Sequence, residues 1–360
     1  MRITCVIGTL GSGGAERVMT HLCAGLAARG HQITLLTLDS SVPDFYPISS
    51  AVTRVQVDLP SFKKAGIWGG FPRLWKLTRA LQGTRPDVVI SFMTISVLAS
   101  CLFLRVPYIY ADHLDIRHLS YSRKWKILRN ALLRFAKTVT VLSERDHQFI
   151  TRYHPRWKVA VVYNPALPCL VKPGPAPAFM LPEKKYVLAV GRLVKQKGFD
   201  RLLNAWRRIC NMQNDWQLLL IGSGTEEESL KHLASKFGIS QRVDFVPPQK
   251  DLTSVYQHAE ILAMSSRAEG FPMVLLEAMA TGLPAVSFAC TGPDVIIRNG
   301  IDGILVEPNH VEELARSLAE LMQNESKRRS LGARAKEITS RFSLADYIDA
   351  YEKLCHQALK

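Results

Sequence analysis

Glu269 and Glu277 bracket the segment Glu269-Gly270-Phe271-Pro272-Met273-Val274-Leu275-Leu276-Glu277-Ala278, in which two carboxylates flank the start of an apolar helix. Pro272 suits the first turn of that helix, where its missing amide hydrogen would have found no acceptor anyway. Glu269 and Gly270 then lie at the helix mouth beside free amides, and Glu277 lies inside. A carboxylate buried there is costly unless a donor meets it, and a ribose diol would serve. Paired carboxylates also suit a glycosidase, but an offset along one helix start makes one of them a poor partner across a glycosidic bond.

A second group, Gly191-Arg192-Leu193-Val194-Lys195-Gln196-Lys197-Gly198, follows an apolar stretch. Arg192 and Lys197 could together neutralise a diphosphate; taken alone they are equally well read as solvated loop charges. The third group is Gly8-Thr-Leu-Gly11-Ser-Gly13-Gly14-Ala15-Glu16-Arg17. Its glycines let backbone amides approach an anion at a helix N-terminus, or simply make a tight strand-to-helix turn. The Gly-Lys-Ser/Thr of a P-loop is missing, and Glu16 stands where a dinucleotide fingerprint starting at Gly11 needs a small residue.

The elements that must position these groups alternate. An apolar strand over Ile3–Gly8, a helix from about Ala15 to Arg29 and a strand over Gln32–Leu38 make a βαβ unit. The pattern restarts at Tyr186-Val-Leu-Ala-Val-Gly, with a helix near Phe199–Asn211 and a strand from Gln217. The fold class is therefore α/β, with two Rossmann-like, doubly wound domains facing a cleft. Residues 165–182 hold six of the 19 prolines and read as the connector. The plan is 1–164 for the first domain, 165–183 for the linker, 184–341 for the second domain and 342–360 for a terminal helix. Val88–Leu104 is 17 residues without a charge, near the minimum for a membrane span. Its serines and threonine mark a joint, so it reads as a buried strand followed by a helix.

The chain of 360 residues carries 46 Lys+Arg against 31 Asp+Glu, a formal charge of +15. Residues 1–165 hold 22 of the basic and 9 of the acidic groups, so nearly all the excess belongs to the first half. Two stretches contain it. Ser61–Arg79 mixes Lys63, Lys64, Arg73, Lys76 and Arg79 with Phe62, Trp68, Phe71 and Trp75; Arg117–Lys137 carries seven basic residues and no acid. At about 100° per residue, Trp125, Leu128, Leu132 and Phe135 share one helical face, with Arg123, Lys126, Arg129, Arg134 and Lys137 opposite. Basic residues interleaved with aromatics suit an anionic membrane surface or a lipid diphosphate. Seven scattered cysteines without a Cys-x-x-Cys pair disfavour a disulfide scaffold and a structural zinc. The N-terminal apolar stretch is too short for a signal peptide, and the reading is cytoplasmic.

Taken together, Gly13-Gly-Ala-Glu-Arg17, Gly191-Arg192 with Lys197-Gly198, and the two glutamates at 269 and 277 resemble the retaining GT-B nucleotide-sugar glycosyltransferases, family four and group 1 type, of bacterial polysaccharide and lipid-linked glycan synthesis. The resemblance runs in order over nearly the whole chain. It implies that Arg192 and Lys197 hold the donor diphosphate and that Glu277 binds the ribose hydroxyls. Glu269, with Gly270, Phe271, Pro272, Met273 and Val274, would hold the donor sugar and phosphates. Gly14 would approach from the first domain, and Val246 would lie at the nucleotide base. It further implies that His113, after the strand Tyr108–Ala111, shares the catalytic role with Glu269. No cofactor and no metal are expected beyond the nucleotide-sugar donor, and no Asp-x-Asp motif occurs.

The partners that follow are a nucleotide sugar, a lipid-linked glycan acceptor and an anionic membrane surface, with the protein peripheral on the inner face of the plasma membrane. Lys63, Lys64, Trp68, Arg73, Trp75, Lys76, Arg123, Lys126, Arg129, Arg134 and Lys137 would contact acceptor or membrane. A nucleotide-sugar epimerase of the same fold would need no acceptor. A nucleic-acid binder would use the basic half, but no recognised nucleic-acid module is present. A nicotinamide dehydrogenase, suggested by the glycine loop and Asp39, fails at Glu16 and leaves the second half unexplained.

Overall fold

The computed structural model describes residues 1–59, 70–112, 123–167 and 174–360, apart from the side chains of 70–71 and 123–125. Lys63, Lys64, Trp68, His113 and the side chain of Arg123 fall outside the described residues. The chain divides into two compact units, Met1–Asn164 with Ala345–Lys360, and Pro165–Leu344.

In unit 1 the elements run β1 (Arg2–Ile7), α1 (Gly14–Ala28), β2 (Gln32–Thr37), β3 (Val52–Gln56), α2 (Gly70–Thr84), β4 (Val88–Phe92), α3 (Ile95–Leu104), β5 (Tyr108–Ala111), α4 (Arg123–Leu133), β6 (Thr138–Val141), α5 (Glu144–Tyr153) and β7 (Val159–Val161). Its sheet is parallel, ordered β3-β2-β1-β4-β5-β6-β7. β4 and β5 are buried along their whole length, which is why they read as continuous apolar runs rather than alternating ones. The uncharged stretch from Val88 resolves into β4 and α3. Among the described residues no helix is long and apolar enough to cross a membrane.

Unit 2 runs β8 (Lys185–Val190), α6 (Phe199–Trp206), β9 (Trp216–Ile221), α7 (Glu227–Lys236), β10 (Val243–Val246), α8 (Thr253–His258), β11 (Ile261–Met264), α9 (Met273–Thr281), β12 (Ala285–Phe288), α10 (Thr291–Ile296), β13 (Gly303–Val306), α11 (Val311–Gln323), α12 (Glu325–Ala335) and α13 (Ile338–Arg341). Its parallel sheet is ordered β10-β9-β8-β11-β12-β13. Trp206, Trp216 and Phe288 lie fully buried in its core. The helix expected through Asn211 ends at Trp206. Beyond it the backbone tightens, with Arg208 N on Ala205 O and Ile209 N on Trp206 O, and the turns that follow give the Cys210 and Gln213 carbonyls to the Arg242 guanidinium.

The last helix, α14 (Leu344–Ala358), lies mostly in unit 1. Arg29 pairs with Asp349 and Glu352, and His31 Nε2 lies 2.7 Å from Glu352 Oε1. Gly25 permits the close approach: a Cβ there would collide with Ile348.

Both sheets reverse strand order once, between β1 and β4 in unit 1 and between β8 and β11 in unit 2. Loops leaving the carboxyl ends of strands at such a switch point diverge and leave a crevice for ligand. In unit 2 these loops are 191–198 and 265–272, two of the groups singled out by chemistry. Gly222, leaving the neighbouring β9, has φ 156°, and a Cβ on it would run into the Gly191 carbonyl. Gly222→Ala is therefore expected to destabilise by about 2 kcal/mol or more. Gly83→Ala, on a helix with open space around it, is expected to gain up to about 1 kcal/mol. Thermal unfolding of the two variants checks the opposite signs.

Candidate active site

The loops after β8 and β11 are tied together. Arg267 N donates to Gln196 O at 2.8 Å, and Gln196 Nε2 returns a bond to Ala268 O at 2.9 Å. Arg267 also forks onto Asp200 at 2.6 and 2.7 Å and reaches Lys195 O. Burial works against an ionised Asp200, yet the hydrogen bonds and charge of Arg267 more than offset it and hold its carboxyl below the usual range. Gly198, at φ 66°, sits where any Cβ would strike the Ser265 carbonyl.

That framework delivers Lys197 to Glu269. Lys197 Nζ donates to Glu269 Oε1 at 2.6 Å, and Ser266 Oγ donates to the same oxygen at 2.7 Å. Glu269 is buried and Lys197 half-buried, so the pair is charge-assisted and partly shielded from water. Arg192 lies exposed at the start of the same loop.

Gly270, Phe271 and Pro272 lead into α9, whose first amides have no acceptor within the helix. Pro272 occupies the N-cap, with ψ 113°, rather than the first turn expected from the sequence. Its carbonyl is thereby free to accept from Leu275 N at 3.1 Å. Phe271 is buried edge-on against Phe342, and Met273 is also buried. Val274 is half-buried on the first turn.

One turn deeper, Glu277 is buried, and Tyr256 Oη on α8 donates to its Oε2 at 3.0 Å. A tyrosine hydroxyl thus meets the carboxylate for which a ribose diol was the expected donor. Val246, closing β10, gives its carbonyl to Gly222 N at 2.9 Å. Gly224 lies so near Leu193 O, and Gly292 so near Gly270 O and Pro272, that a side chain would fill the space beside each loop. The Cys290 thiol, one residue before α10, is pushed up to about 12 by burial and by the charge of Glu269, so it stays protonated at neutral pH.

The assembly can therefore bind an anion with Lys197, Arg192 and the positive end of α9, and hold a polyol against Glu269 and Glu277. Ser266, Tyr256, Gly222, Gly224, Gly292 and Cys290 were not singled out by the sequence reading. Ser266 stood in plain view, a polar residue three positions before Glu269; Tyr256 lies 21 positions from Glu277 and offers no local signal.

In unit 1, Gly14 begins α1 behind an extended Gly13, and the Glu16 carboxylate folds back so far that a Cβ on Gly13 would collide with it. Arg129 requires a correction. It was expected on an exposed basic face; it is buried, ion-paired with Asp112 and 5.8 Å from the centre of the Tyr110 ring. The buried carboxylate at the end of β5 demands a cation, and α4 rotates to supply it. Leu128 and Phe135, on the apolar face read as suited to an anionic membrane surface, are 45% and 56% exposed, with Ile127 at 68%. Lys126, Arg134 and Lys137 are exposed as expected, as are Trp75 and Lys76; Arg73 is half-buried near Asp39.

The family model described as Glycosyl transferases group 1 matches residues 179–338, and that described as Glycosyltransferase Family 4 matches residues 12–166. The amylovoran biosynthesis glycosyltransferase AmsD of Erwinia amylovora is 32% identical over 91% of this chain and 92% of its own. A Campylobacter jejuni α-1,4-N-acetyl-D-galactosaminyltransferase, named for a diNAcBac-PP-undecaprenol glycan, is 26% identical over 98% of both chains. Among solved structures, Anabaena Alr3699/HepE in complex with UDP and glucose superposes with a TM-score of 0.79 at 18% identity, over 98% of each chain. Sucrose-phosphate synthase of Thermosynechococcus elongatus gives 0.82 at 21%, over 99% of this chain and 98% of its own. These likenesses show the two-domain GT-B fold.

Three substitutions test the buried polar contacts. Tyr256→Phe is expected to lose about 1–3 kcal/mol in denaturant unfolding, because it strips a donor from a buried carboxylate. Arg129→Met alone is expected to lose about 3–5 kcal/mol, and joint replacement with Asp112→Leu to recover most of it.

Proposed function

This chain belongs to the glycosyltransferases of the group 1 and Family 4 type, and from that premise we propose that it moves a hexose or N-acetylhexosamine from a UDP-linked donor, with retention of configuration and without a metal, to a polyprenyl-diphosphate-linked glycan. The observation that carries this reading is the contact of Lys197 with Glu269 at the mouth of α9. It gathers a cation and a carboxylate at a helix N-terminus, where a donor's diphosphate and sugar can lie side by side.

In this mechanism Lys197 and Arg192, with the α9 dipole, neutralise the departing UDP and so lower the barrier to breaking the bond from the anomeric carbon to oxygen. Charge develops on the sugar as an oxocarbenium-like cation, which Glu269 steadies from beside the ring. The acceptor hydroxyl attacks from the face the diphosphate leaves, its proton passing to a diphosphate oxygen. Glu277 fixes the ribose, and Val246 lies at the base. His113 is assigned to orienting the sugar from its resemblance to the family's histidine. No protein nucleophile is required.

A membrane-surface location at the cytoplasmic face is supported by exposed Phe103, Ile127, Leu128 and Phe135 in company with Arg105, Lys126, Arg134 and Lys137. Apolar tips among cations match an anionic interface.

The test is release of nucleoside diphosphate across a panel of donors, with chelator present, with and without a polyprenyl-diphosphate glycan. UDP release that depends on acceptor and survives chelation is expected. Lys197→Ala and Glu277→Ala should each fall by roughly 100-fold or more. Full activity in both variants, or interconversion of donor sugars without acceptor, would overturn the reading.

A further inference from the structure

At the carboxyl end of β3, unit 1 has a concavity of about 310 Å³ lined by Gln56, Val57, Asp58, Trp75, Lys76, Arg79 and Ala80. It lies on the strand edge that carries the glycine loop. Leu38 and Asp39 donate to Gly8 O, while Val57 N donates to Thr37 O and Leu59 N to Leu38 O, so the segment after β3 runs beside the loop after β2. Its volume is at the small end of ligand cavities, suited to one compact ring and too small for a nucleotide sugar.

The lining has a consistent chemistry. Buried Val57 and partly buried Ala80 give an apolar floor, and Trp75 stands 63% exposed at the rim. Arg79 lies 5.3 Å from the Trp75 ring centre and orients it. Lys76 Nζ donates to Asp58 O at 3.0 Å, fastening α2 to the segment after β3. Asp58 adopts a left-handed φ of 44°, and its Oδ1 accepts from Ser40 N at 3.0 Å. A carboxylate offers about four acceptor positions, so the bond from Ser40 leaves Asp58 able to accept from hydroxyls. Gln56 adds an amide with donor and acceptor, and Arg79 a planar donor. An indole face beside a carboxylate, an amide and a guanidinium matches a pyranose, with apolar C–H groups on one face and hydroxyls around its edge.

We propose that this concavity is a saccharide subsite that grips one pyranose ring of the acceptor glycan away from the reacting hydroxyl. The assignment rests on the reading that the acceptor is a glycan. A membrane anchor is the competing use of an exposed tryptophan flanked by Lys76 and Arg79; the carboxylate of Asp58 and the amide of Gln56 in the same lining suit hydroxyls rather than an anionic bilayer. Phe103, Ile127, Leu128 and Phe135 are the exposed apolar residues of α3, α4 and the turn after α4, and Arg105, Lys126, Arg134 and Lys137 are exposed there as well.

The test applies the full chain to an array of immobilised bacterial oligosaccharides carrying neither lipid nor diphosphate, with parallel measurements of UDP binding by calorimetry and of co-sedimentation with anionic phospholipid vesicles. Capture of a subset of glycans is expected. Trp75→Ala should weaken it roughly tenfold or more, with Trp75→Phe retaining most of it and Asp58→Asn, which tolerates the left-handed backbone, weakening it. UDP binding and vesicle binding should not change in these variants. Capture of no glycan, equal capture after Trp75→Ala, or loss of vesicle binding in its place overturns the proposal. Failure to bind UDP would instead overturn the transferase reading, leaving the array result to be judged alone.

Discussion

The strand order of unit 2 reverses between β8 and β11, and the hydrogen bonds that clamp the two loops leaving that point hold everything else at the site in place. Arg267, Gln196 and Ser265 convert a topological gap into a fixed distance between Lys197 and Glu269. Gly198 is the steric condition for that clamp, while Gly222 and Gly224 let the segment after β9 approach the first loop and Gly292 lets α10 approach the second. The chemical groups are few; much of the loop sequence around them serves to let backbone approach backbone.

How much of this could be read beforehand depends on the range of each interaction. Strand and helix alternation is local, and it locates β1, β2, β8 and β9 within a residue or two. Arg192 and Lys197 stand out only in combination with the glycines beside them and the glutamates at 269 and 277, since alone each reads equally well as a solvated loop charge. Tyr256 and Ser266 are ordinary in sequence and gain meaning only when α8 and the β11 loop are folded against their carboxylates. The turns after Trp206 give their carbonyls to Arg242, some 30 positions later, a long-range partner that leaves no trace in local propensity.

Arg129 shows the complementary failure. Helical periodicity ranks faces by average polarity, and by that measure a face rich in arginine belongs outside. One buried acid outweighs the average, because an unpaired Asp112 would cost more than exposing Leu128 and Phe135. The basic excess of the first half thereby divides into distinct uses: a cation held in the interior, a rim around Trp75, and a surface where cations share ground with apolar tips.

The two units repeat one architecture, yet Glu16 makes them chemically unequal. Its carboxylate already occupies the positive end of α1, whereas the carboxylate at the opening of α9, Glu269, is matched by Lys197 from a neighbouring loop. A phosphate at the first opening meets a charge of its own sign, and at the second a carboxylate whose charge a lysine already answers. Helix openings of like architecture are therefore not interchangeable anion sites, and the difference lies in which side chain an adjoining loop delivers.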